Sequence, residues 1–171
     1  MNRRTVLGLT TTALLCTGVL FSASHAPAQK KSLKDQAVGT WTFVSSTGKR
    51  ADGSPNWGSN PKGLLILTDN GRYSIQIMRS DRPKYASNNR LKGTAAEHQS
   101  TVEGVISNFG SYSIDEAKKT ITMRFEGSSF PNQEGATQER PLTIAGDELR
   151  YTNPSPTIGG PATDLIWRRA K

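Results

Sequence analysis

From residue 38 onward, apolar and polar residues alternate in short runs separated by turn-forming clusters. A period of two puts successive side chains on opposite faces, so this pattern predicts β-strands with one buried face each. In residues 38–46, Gly39, Trp41 and Phe43 share one face, and Thr40, Thr42 and Val44 the other. Turn residues fill 48–61, and 63–68 is a nearly continuous apolar run. Asp69-Asn70-Gly71 then signals a tight hairpin, because Asn and Gly both tolerate positive φ. The return strand, 72–78, sets Tyr73, Ile75 and Ile77 against Ser74 and Gln76. Further strands are predicted at 109–114, 120–126, 138–145, 148–152 and 163–169, with Ile121, Met123 and Phe125 forming another alternating face.

One segment keeps a different period. Between Thr94 and Asn108, the residues Ala95, His98, Val102, Val105 and Ile106 recur at helical spacing, and Phe109 continues the seam. Thr94 with Glu97 three residues later has the form of a capping box. One amphipathic helix is predicted there, with His98 packed or half-exposed on its edge. Eight strands at short spacing around one helix predict an all-β, antiparallel barrel or sandwich.

The first residues follow neither pattern. Met1-Asn2-Arg3-Arg4 is basic, 5–21 is apolar, and 22–29 is small and polar with an A-x-A site at Ala26-Pro27-Ala28. This order predicts a secretory signal peptide, residues 1–28, cleaved after Ala28. Arg3-Arg4-Thr5-Val6-Leu7 also resembles a twin-arginine signal, so both the Sec and the twin-arginine route stay open. A lipoprotein anchor fits less well, because Leu15 precedes Cys16. The expectation is a periplasmic or secreted protein without stable membrane insertion after cleavage. Residues 29–36 read as a flexible lead-in and 37–171 as one domain.

Cleavage changes the available chemistry. Removing 28 of 171 residues leaves 143, and the loss of Arg3 and Arg4 lowers the formal charge from +8 to +6. Cys16 and His25 leave as well, so the mature chain has no cysteine, and His98 is its sole histidine. A disulfide framework, a thiol nucleophile and a Cys/His zinc site are thereby excluded. Asp52, Asp69, Asp115 and Asp147 stand singly in turns, and no calcium loop occurs, so neither metal nor cofactor is predicted. The positive residues are scattered (Lys49-Arg50, Arg79, Arg82, Lys118-Lys119, Arg168-Arg169) and read as solvated charge, not as a nucleic-acid surface.

Five motifs in order carry a family resemblance. They are Gly39-Thr40-Trp41, Pro61-x-Gly63, the hairpin Asp69-Asn70-Gly71-Arg72-Tyr73, Phe109-Gly110-Ser111-Tyr112, and the terminal Trp167-Arg168. Together they resemble the bacterial lipocalin-like domain family over nearly all of the mature chain. The resemblance implies a calycin-type β-barrel and little about activity. It also implies a structural closure in which Arg168 or Arg169 covers the indole of Trp41. The chain departs from typical lipocalins in lacking a disulfide and in placing its helix mid-chain.

A barrel of about eight strands holds either one small ligand or its own side chains. Trp41, Phe43, Tyr73, Ile75, Ile77, Tyr112, Met123, Phe125, Tyr151 and Trp167 are expected to point inward. Of these, Tyr73, Ile75, Ile77, Tyr112, Met123, Phe125 and Tyr151 are the candidate lining of a site for a small hydrophobic or aromatic molecule. Arg79, Arg82 and Arg140 lie in two polar segments, 79–90 and 130–140, suited to an anionic group on that ligand. The alternatives are a barrel enzyme for isomerisation or cyclisation, using Asp81, Glu126 or Glu139 beside an arginine, and a scaffold acting through its outer surface.

Overall fold

In the computed structural model, which describes residues 31–171, the alternating runs become the strands of one closed sheet. The predicted signal peptide lies outside the described residues. The strands are β1 (Gly39–Ser46), β2 (Lys62–Leu67), β3 (Arg72–Met78), β4 (Val105–Asp115), β5 (Thr120–Ser128), β6 (Thr137–Ala145), β7 (Glu148–Asn153) and β8 (Thr163–Arg169). Each pairs antiparallel with the next, and β8 returns to β1 to close the barrel. All ten residues expected to point inward are buried.

Strand direction gives the barrel two unlike ends. The hairpin turns at 68–71, 116–119 and 146–147 gather at one end, with the N-terminus of β1 and the C-terminus of β8. The long connections 47–61, 79–104, 129–136 and 154–162 gather at the other. Short turns close tightly, whereas long loops leave a mouth.

The tight end is plugged by residues predicted as a flexible lead-in. Leu33–Ala37 forms a helical turn, α1, that buries Ala37 and packs Leu33 on the core. The free amides of its first turn, Leu33 and Lys34, each donate to the Glu116 carboxylate at 3.0 Å. Trp41 is fully buried beneath α1 and donates from Nε1 to the Ala37 carbonyl at 2.8 Å. Arg169 lies 4.1 Å from the Trp41 ring and donates to the carbonyls of Val38 and Gln36. Arg168 does not share this role: one residue along a strand reverses the face, and its side chain is exposed outside. Gly39 makes room for the clamp, since a Cβ there would stand 3.0 Å from Arg169 Nη1, and its φ of +137° suits glycine.

The mid-chain helix is shorter than the periodicity predicts. The helix, α2, covers Ala95–Glu103 with the Thr94–Glu97 capping box formed in both directions. Val105 and Ile106 belong instead to β4, opposite Met78 and Ile77. No residue of α2 is buried, and Val102 is 77 % exposed. The apolar seam was therefore two pieces of unlike structure. Hydrogen bonding to β3 claims the second piece, because leaving that strand edge unpaired inside a barrel would orphan buried backbone groups.

Glu97 does double duty, accepting from the amides of Ala86 and Thr94. The Ala86 amide first, then that of Thr94, holds its carboxyl below the ordinary glutamate range. A carboxyl lowered in the folded state contributes above its unfolded value and stops contributing as pH falls through the folded one. The loop before α2 should therefore loosen as pH falls below the ordinary glutamate range and through the lower folded-state value. Hydrogen exchange at Ala86 and Thr94 should then quicken beyond the intrinsic pH effect, and Glu97→Gln should remove that step.

Candidate functional site

Burial is uneven along the barrel axis. Toward the tight end the interior is solid. Tyr73 meets Phe125 edge-on at 6.4 Å, and Tyr112 donates its hydroxyl to the Thr68 carbonyl at 2.6 Å. Met123 is fully buried among them. These four expected ligand contacts are core residues of the lower barrel, and none is in the lining of the cavity at the other end. Burial pushes the Tyr73 hydroxyl well above the ordinary phenol range.

Toward the mouth the packing opens into a cavity of about 50 Å³. Ile75 and Ile77 of β3, Ile106 of β4 and Leu165 of β8 form apolar walls. Trp57 from the 47–61 loop and Pro156, Thr157 and Ile158 from the 154–162 loop form the rim. Trp57 is held edge-on to Phe43 at 6.4 Å, and Phe43 in turn to Trp167 at 4.9 Å.

Arg140 and Tyr151 also line this cavity, and they supply its polarity. Arg140 is only 4 % exposed. Its guanidinium lies 4.9 Å from the Tyr151 ring centre and 5.7 Å from that of Phe125, so cation–π attraction on both rings helps hold it. Nε and Nη2 both donate to Gln138 Oε1, at 3.2 and 2.6 Å. Among the described residues, no carboxylate lies within ion-pair distance of it. The Tyr151 hydroxyl and the Asn108 side-chain oxygen are buried without hydrogen-bond partners. Burial pushes the Tyr151 hydroxyl up, and the neighbouring Arg140 charge opposes that.

Arg79 and Arg82, also expected at the ligand, are committed elsewhere. Arg79 is bidentate on Asp81, at 2.9 and 2.6 Å, and Arg82 donates to the Arg79 carbonyl. Both sit on the 79–104 connection at the mouth end, and neither lines the cavity. The carboxylates considered for an enzyme also face away from it: Asp81 pairs with Arg79, Glu126 with Arg72, and Glu139 with Lys118. His98 packs on Tyr85 at 5.5 Å and contacts the Arg90 carbonyl, half-buried as expected.

Of the ten sequence-predicted ligand residues, the structure thus brings Ile75, Ile77, Arg140 and Tyr151 together. Trp57, Asn108 and the 156–158 segment were missed. Trp57 had one signal, a large aromatic in an otherwise turn-rich loop. Asn108 had another, a polar residue in a run of apolar spacing.

A closed eight-stranded meander with one plugged end and a cavity at the other defines a calycin-type barrel. The chain belongs to the lipocalin-like domain family, which matches residues 38–170. It is also similar to the 4'-hydroxy-3'-methoxypropiophenone carrier protein ppsC of Aspergillus oryzae, with 30 % identity over 105 residues, 56 % of this chain and 95 % of that protein.

Proposed function

We propose that this protein binds and carries a small, partly apolar molecule, most readily an aromatic one, in the open end of its barrel. The observation that carries the reading is the cavity, walled by isoleucines and aromatics and joined to the mouth loops. The carrier named among its relatives supports it. At about 50 Å³ the cavity takes a few waters, whereas an arene needs roughly 150 Å³. Binding therefore requires the rim to move, and Trp57 with the 154–162 loop is the part that can yield. That loop has positive-φ glycines at Gly159 and Gly160 and no strand pairing within it.

Export belongs to the same reading, on the basic, apolar and small-residue order of the first 28 residues. Native mass spectrometry of the protein purified from its own periplasm or medium tests both. A mass short of residues 1–28 is expected, together with a further few hundred daltons that leave on denaturation. Titration with 4'-hydroxy-3'-methoxypropiophenone should quench tryptophan fluorescence, and Trp57→Phe should remove most of the quenching. No adduct and no response to this or other neutral arenes would sink the carrier reading.

A further inference from the structure

We propose that the cavity selects ligands bearing an acidic oxygen, a carboxylate or phenolate on an aromatic body, and that Arg140 is the residue that receives it. The inference rests on the reading that this cavity is the ligand site. Arg140 is the one charged side chain buried among the described residues. A buried ion without a counter-ion is strongly unfavourable, because the lost hydration is not replaced. Cation–π contact with two rings and a single amide oxygen offsets only part of that.

The acids of the surrounding strands do nothing to neutralise it. Glu139 is beside Lys118, Glu148 and Asp164 are beside Arg150, and Glu126 is on Arg72, all partly or largely exposed. The titratable groups whose charge is coupled to Arg140 are the hydroxyls of Tyr73 on β3 and Tyr151 on β7. Burial keeps both phenols neutral at physiological pH, so neither acts as the counter-ion. Both hydroxyls and the Trp167 indole N–H are buried without partners. The indole N–H only donates, the two hydroxyls can donate or accept, and the unpartnered Asn108 oxygen accepts, but none of these groups carries a negative charge. The missing partner is an acceptor with negative charge, and guanidinium geometry suits the two oxygens of a carboxylate. Only the mouth gives such a group a path to Arg140, so the ligand would enter acid-first with its ring against the isoleucine walls.

The test uses trans-cinnamate and its neutral isostere trans-cinnamamide, titrated into the purified protein by calorimetry at neutral pH. Cinnamate should bind at least about tenfold more tightly, the factor that one pH unit of differential ionisation represents. Arg140→Gln should reduce that preference to within about threefold, and Arg140→Lys should restore part of it. A second measurement needs no variant. Bound 4-nitrophenol, followed by its phenolate absorbance, should ionise at least about one pH unit below the free compound. Equal affinity for acid and amide, with unchanged ionisation of the phenol, overturns the inference and leaves a carrier of neutral ligands. Failure of every probe, neutral arenes included, overturns the carrier reading as well.

Discussion

Trp41→Ala is expected to destabilise the protein by about 3–5 kcal/mol, as deletion of a large, fully buried aromatic does. Three losses combine at one place. The void lies at the sealed end under α1, where Ala37 is already fully buried. The Ala37 carbonyl loses the indole donor at 2.8 Å, and Arg169 loses the ring 4.1 Å from its guanidinium carbon. A small domain has only about 5–15 kcal/mol in hand, so the variant should be marginal at growth temperature. Trp41→Phe keeps most of the bulk and gives up the N–H, and about 1–2 kcal/mol is expected from it. A double-mutant cycle with Arg169→Ala should return a coupling of about 0.5–2 kcal/mol. Chemical denaturation reads all of these. A loss below about 1 kcal/mol for Trp41→Ala would mean that the tight end is not closed as described.

Gly110→Ala should be comparably damaging, for a different reason. A Cβ at Gly110 would lie 1.9 Å from the Arg124 carbonyl oxygen, which is backbone and cannot swing aside. The contact arises at the bulge between Phe109 and Gly110, where β4 and β5 slip by one residue and the barrel wall bends. Relief requires parting the strands at that point, and a cost of about 3 kcal/mol or more is expected. Gly135→Ala is the control: its φ is +79°, yet nothing stands within 4 Å of the added atom. Only the left-handed conformation opposes it, at about 1–2 kcal/mol. A loss for Gly110→Ala no larger than that for Gly135→Ala would argue against the close approach at the bulge, since Gly110 has no left-handed conformation to account for it.

These two sites show what a sequence motif encodes. Gly39-Thr40-Trp41 and Phe109-Gly110 are readable because each states a steric requirement, a glycine where side chains or backbones crowd. The same holds for Asn70-Gly71, where Gly71 takes φ +79° at the hairpin. Inward faces were legible through strict alternation, because one strand face must be apolar if the interior is to be dry. All eight strands, the capping box at Thr94 and the inward set from Trp41 to Trp167 follow from such local rules.

Three matters were decided only when the chain closed on itself. Val105 and Ile106 fit a helix face or a strand equally well, and the unpaired edge of β3 settled them as strand. Arg168 and Arg169 are adjacent and chemically alike, and the register opposite Trp41 chose Arg169 for the clamp and turned Arg168 to water. Arg79, Arg82 and Arg140 were equal candidates on composition. Asp81 lies two residues from Arg79 and takes its charge, while Arg140 enters the barrel among aromatic rings where no acid follows it. Local pattern determines which way a residue faces, because that depends on neighbours one or two positions away. Which charges meet, and which remains unpaired at the base of a cavity, depends on strands far apart in sequence that only barrel closure brings together.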